Sequence, residues 1–158
     1  KTYCVRDRNK LSLAADKLAV TTQHMTTLVN TCYKKYPDRE NIQRLKQGFN
    51  PVKIQETLPT SEHTAYSENK GEKIAFCLNE SKYDNDDLID NNTLMFVAIH
   101  ELAHVASIRI GHTDEFWNNF KFLLQEAEKI NIYTPRDYKK EPKQYCGMTI
   151  TDNPYYDF

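Results

Sequence analysis

One stretch of sequence limits the folds open to this chain more than any other: from Leu94 through Ile108 every side chain is apolar except His100, Glu101, His104 and Ser107. A helix apolar almost all round cannot lie on a surface, so it is expected at the centre of the domain with other elements packed about it. Asn92 or Thr93 can cap its start, and Gly111 stops it beyond Arg109. Polar groups buried there without partners would cost about 1 to 3 kcal/mol each. His100, Glu101 and His104 therefore need something to share.

A metal ion meets that need. Residues four apart lie on one helical face, so the imidazoles of His100 and His104 can reach one ion while Glu101 projects beside them. A catalytic zinc takes three protein ligands and lowers the pKa of a water in its remaining position to about 7. Glu101 would act as general base, taking that water's proton and passing it to the leaving amine. His112 is the expected third ligand, because it follows Gly111, where the chain can reverse, and precedes Phe116 and Trp117. Glu126 is the rival, with Glu115 and Asp114 behind it. The predicted set is His100, His104 and His112 for one zinc ion, with Glu101 catalytic. Tyr138, Tyr145, Tyr155, Tyr156 and His63 are candidates to steady a developing oxyanion.

The rest of the chain supplies the surroundings of this helix. Residues 9–36 repeat Leu11, Ala14, Leu18, Met25, Leu28, Cys32 and Tyr36 along one face of a long helix, which Pro37 ends. His24, on the polar part of that helix, reads as a solvated residue. Three short β-type runs at 52–57, 64–67 and 73–78, with a turn at 69–71, predict a small antiparallel sheet. Strand 73–78, just ahead of the central helix, is the expected edge on which an extended peptide could pair. Asp84, Asp86, Asp87 and Asp90 lie in a polar linker that lacks the pattern of a calcium loop. Thr113 or Asp114 caps a further helix to about residue 131, with Phe116, Phe120, Leu123 and Ala127 facing the core. The predicted organisation is one α+β domain over 1–158: a helical part to about 48, sheet and catalytic helices over 49–131, and a wrapping tail from 132.

Composition narrows the partners. A formal charge of -1 with 21 Lys and Arg against 22 Asp and Glu gives no bulk electrostatic hold on nucleic acid. The longest apolar run is too short to cross a membrane. The chain starts at Lys1 without a methionine, so an upstream segment is conceivable, and compartment and oligomeric state stay open. The 4 cysteines form no C-x-x-C pair. Cys32 and Cys77 read as buried free thiols, and pairing of Cys4 or Cys146 is left open.

The block His100-Glu101-Leu102-Ala103-His104, followed by Gly111-His112 and Asp114-Glu115-Phe116-Trp117, resembles the WLM family of zinc metallopeptidases, relatives of the SprT-like and Spartan proteases. Residues 146–154, Cys-Gly-Met-Thr-Ile-Thr-Asp-Asn-Pro, are similar to the tails of WLM-like proteins from large DNA viruses. The resemblance implies a zincin-like minimal fold, a zinc endopeptidase acting on polypeptide chains, His100, His104 and His112 as zinc ligands, and Glu101 as general base. Through the family's cellular members it also implies, as an alternative, a DNA-stimulated protease acting on DNA–protein crosslinks. A metal-stabilised structural or binding module is the alternative from another class.

Overall fold

The apolar stretch forms helix α3 (Asn91–Ala106), and all three other helices touch it. In the computed structural model, which describes residues 3–6, 11–57, 65–68, 72–81 and 87–157, these are α1 (Leu11–Lys35), α2 (Glu40–Gly48) and α4 (Asp114–Lys129). Helix α1 buries the predicted stripe Ala14, Leu18, Met25, Leu28 and Cys32 completely. Helix α2 escapes the sequence pattern because it is short and contributes only Ile42 and Leu45 to the core. Its Arg44 nevertheless reaches the end of α3, donating to the Ala106 carbonyl at 2.9 Å. Helix α4 begins at the predicted Thr113 cap and buries Phe116, Phe120, Leu123 and Ala127.

Both ends of α3 differ from expectation by a few residues. Asp90, rather than Asn92 or Thr93, caps its start, its carboxylate accepting from the Thr93 amide at 2.9 Å and the Thr93 hydroxyl at 2.8 Å. The carboxylate also suits the positive end of the helix dipole. The helix stops at Ser107, short of Gly111, where the Ser107 amide closes on the His104 carbonyl and its hydroxyl donates to the Ala103 carbonyl at 2.7 Å.

The predicted strands are β1 (Ile54–Glu56), β2 (Ala65–Glu68) and β3 (Lys73–Phe76), and they are not all antiparallel as expected. The sheet order is β1-β3-β2. Strand β3 lies antiparallel to β2 (Tyr66 opposite Ala75) and parallel to β1 (Gln55 opposite Ala75). The central place of β3 explains its sequence: Ile74, Ala75 and Phe76 are fully buried, as a strand covered on both faces requires. Among the described residues the edge strand beside α3 is β2, not the run at 73–78. The turn at residues 69–71, His63, and the acidic Asp84 and Asp86 lie outside the described residues.

The tail packs, as its aromatics suggest. It forms a hairpin of β4 (Lys143–Tyr145) and β5 (Met148–Ile150), then a short 3-10 turn at Pro154–Tyr156. Cys146 and Gly147 form the two-residue turn with φ of 51° and 79°, both in the left-handed region that such a hairpin demands. The expectation of a free Cys77 is overturned here: Cys77 and Cys146 form a disulfide with Cα atoms 6.1 Å apart. Sequence spacing could not reveal a pairing across 69 residues that only the fold brings together. Cys32 is a buried free thiol as expected, pushed up to about 12 chiefly by burial and then by the charge of Glu126. Among the described residues no helix is long and apolar enough to cross a membrane.

Glu126 ties α4 to α1. Its carboxylate accepts from Lys35 at 2.6 Å, Lys129 at 2.7 Å and the Tyr36 hydroxyl at 3.2 Å, while its side chain is only 3% exposed. Burial pushes this carboxyl up, but the two lysine hydrogen bonds and charges outweigh burial and hold it below the ordinary 4.5. Because the folded value lies under the unfolded one, the contribution is complete above about pH 4.5 and is lost as pH falls through the lowered value. Glu126→Gln should therefore destabilise by about 1 to 3 kcal/mol at neutral pH. The gap between wild type and variant in thermal unfolding should narrow steadily below pH 4.5.

Candidate metal centre

Three histidines from two elements converge at the end of α3. His100 and His104 share its face, and His112 arrives from the loop between α3 and α4. Their ring centroids form a near-equilateral triangle, 4.9 Å from His100 to His104, 5.1 Å from His100 to His112 and 5.2 Å from His104 to His112. One ligand nitrogen from each lies within 4.8 Å of the others, a set that could hold a metal ion after a modest closing of side-chain torsions.

Phe116 underlies the triangle. Its fully buried ring stacks on His104 at 4.3 Å and packs against His112 at 4.8 Å and His100 at 5.0 Å. Three imidazoles so placed have little rotamer freedom, which lowers the entropic cost of gathering them on one ion. Helical spacing marked Phe116 as a core residue, and only its place beneath the rings reveals a second role.

Glu101 lies on the same turn, 3% exposed, its Oε2 2.8 Å from His100 Nδ1. With a proton on Nδ1 that contact is a donated hydrogen bond, and it leaves Nε2 of His100 as the coordinating atom. Burial and the neighbouring His100 push the His112 imidazole below its ordinary value, against a smaller upward pull from Glu101. A lowered value favours the neutral imidazole, the form that binds metals. Three nitrogen donors, an aromatic floor and an open side are a set that could hold a metal ion.

The rival ligands are occupied elsewhere. Glu126 is held at the far end of α4 by Lys35, Lys129 and Tyr36. Glu115 accepts from the Ile108 amide at 2.8 Å and the Arg109 amide at 3.2 Å and pairs with Arg44 at 3.6 Å. It thus fixes the loop that carries His112. Ser107 joins this clamp through Asn119, which donates to its hydroxyl at 2.9 Å, and Asn41 donates to Asn119 in turn. Asp114 sits in the first turn of α4.

Of the proposed oxyanion donors, Tyr145 spends its hydroxyl on the Cys77 carbonyl at 2.7 Å and Tyr155 on Glu128 at 2.6 Å. Tyr138 is fully buried in the core beside Phe96, at 4.9 Å, and Tyr156 is 43% exposed in the 3-10 turn. Tyr145 lines a cavity together with His100 and Glu101, with its hydroxyl donating to the Cys77 carbonyl. Cys146 is buried in its disulfide and not available to a metal. A groove runs past the triangle, floored by His100, Glu101, His104 and His112 and bordered by Ala65, Tyr66 and Ser67 of β2.

Residues 43–155 match the WLM domain. The chain is 32% identical over 162 residues to the uncharacterized protein R325 of Acanthamoeba polyphaga mimivirus, a match covering 97% of this chain and 79% of that protein. It is 36% identical over 74 residues to the uncharacterized protein 136R of Invertebrate iridescent virus 6, covering 47% of this chain and 40% of that one. Over 100 residues it is 39% identical to the uncharacterized protein 042R of Invertebrate iridescent virus 3, covering 63% and 57%. No solved structure matches the chain.

Adding zinc or cobalt to chelator-treated protein should raise its melting temperature, by an amount equivalent to about 2.7 kcal/mol at a hundredfold excess over Kd. His112→Ala should weaken binding by more than the roughly 10- to 100-fold typical of losing a supporting partner. Glu126→Gln should leave affinity unchanged when both variants are titrated with the metal in a calorimeter.

Proposed function

Since the chain belongs to the WLM family and shares it with proteins of large DNA viruses, we propose that it is a zinc-dependent endopeptidase of zincin-like build, with His100, His104 and His112 as ligands and Glu101 as general base. The observation that carries this reading is the carboxylate of Glu101 beside a cluster of three imidazoles able to hold a metal. A purely structural site needs ligands but no base, and it closes its coordination shell with protein atoms. Here the triangle opens on a groove, and a buried carboxylate stands beside it.

When bound, zinc supplies Lewis acidity at the substrate carbonyl and makes a water nucleophilic at neutral pH. The protein supplies the proton traffic and the orientation. Glu101 Oε accepts a proton as the attacking water forms its bond to the carbonyl carbon, and the same carboxyl returns it to the nitrogen as the C–N bond breaks. His100, 2.8 Å from Glu101, keeps that carboxylate directed. Phe116 excludes water from behind the imidazoles and holds them in one arrangement. Strand β2, an edge of the sheet among the described residues, borders the groove along which an extended polypeptide would lie.

Glu101→Gln keeps the shape of the side chain and removes the base. Cleavage of casein should fall by roughly 10² to 10⁴, while zinc content by atomic absorption stays at the wild-type ratio. Equal cleavage by both proteins would sink the enzyme reading.

A further inference from the structure

Beside the histidine groove lies a second cavity of different character. Phe96 and Val97 of α3 floor it, Tyr145, Met148 and Ile150 of the β4–β5 hairpin wall it, and Glu101 marks the mouth it shares with the groove. Phe96 and Val97, at 6% and 8%, are the least deeply buried apolar core residues of α3, and their remaining surface faces this space. Met148, 48% exposed, borders both the cavity and the groove, as Ala65, His100 and Glu101 do.

The wall is not part of the helical core. It is borne by the tail and pinned to the chain just after β3: by the Cys77–Cys146 disulfide, by the Cys146 amide on the Asn79 carbonyl at 2.8 Å, by the Gly147 amide on the Glu80 carbonyl at 2.9 Å, and by the Tyr145 hydroxyl on the Cys77 carbonyl at 2.7 Å. These ties all lead to residues 77–80. An apolar cavity in contact with a carboxylate repels an acidic side chain and strips water from any charged one without a partner. A large aliphatic side chain or methionine fills it without either cost.

We propose that this cavity receives a large aliphatic side chain of the substrate next to the bond that is cut, and that the Cys77–Cys146 disulfide sets this selectivity by holding the Met148 wall in place. The proposal rests on the endopeptidase reading above. Reduction by a dithiol breaks the S–S bond, places one hydrogen on each sulfur and closes the reductant's own disulfide. It removes the covalent tie of the turn and leaves it to its hydrogen bonds, without touching the three histidines and Phe116.

Binding and turnover test it separately. The chain has 3 methionines, so protein labelled with 13C-methyl methionine gives a simple spectrum in which the buried Met25 and Met95 serve as references. Acetyl-leucine amide should shift the Met148 methyl resonance, and acetyl-aspartate amide should not. In zinc-loaded enzyme, cuts in casein should cluster beside leucine, isoleucine and methionine. The Cys77→Ser/Cys146→Ser variant should show about a tenfold higher KM for leucine-containing peptides, with kcat within about twofold and zinc content unchanged. Should the double variant fail to fold, Met148→Asp, at an exposed position, should lower the leucine-over-alanine preference by about tenfold, and Met148→Leu should restore it. A Met148 methyl indifferent to both amides, or folded disulfide-free protein with the wild-type KM, overturns the proposal. Wild type that cuts no peptide while its Met148 methyl still answers acetyl-leucine amide supports the cavity and overturns the endopeptidase reading instead.

Discussion

A single conflict arranges the structure around α3: a helix whose apolar faces must be kept from water carries, within two turns, a glutamate and two histidines that are costly to bury alone. Helices α1, α2 and α4 cover the apolar faces. The polar turn is neither exposed on a surface nor sealed in the core. It faces a groove between β2, the hairpin and the loop that carries His112. His100 and His104 are half-buried there, and Glu101, the most deeply placed of the three, finds its partner in the ring of His100.

What makes this solution rigid is an aromatic floor and a polar clamp. Phe116 anchors the rings from below, and its own place is fixed because it opens the core stripe of α4, one turn after the Thr113 cap. The loop between α3 and α4 would otherwise carry His112 on a short irregular tether. Glu115, Arg44, Ser107 and Asn119 tie that tether to three different helices by hydrogen bonds that satisfy its backbone. Two acids that sequence offered as metal ligands, Glu115 and Glu126, thus serve as struts, one for the loop and one for the joint between α1 and α4.

Much of this was legible beforehand, and the parts that were not have a common cause. Periodicity found α1, α3 and α4, because each spends a long run of residues on one face and packing enforces the repeat. It missed α2, where two apolar residues in nine leave no pattern to count. Short strands were placed within a few residues, but their partners were not, since three residues carry too little alternation to set order or direction. The disulfide was misread for the same reason: Cys77 in a strand-like run looks the same whether its sulfur is free or bonded.

The sequence by itself determined the chemistry on offer. Two histidines and a glutamate on a helix too apolar to be exposed, with a third histidine just past a glycine, follow from spacing alone, because i and i+4 must share a face. Where the candidate acids would be held, which strand would border the groove, and which cysteine would pin the tail were decided only by the tertiary structure. Those outcomes depend on contacts between residues 35 and 126, 66 and 75, and 77 and 146, distances along the chain over which no local pattern carries information.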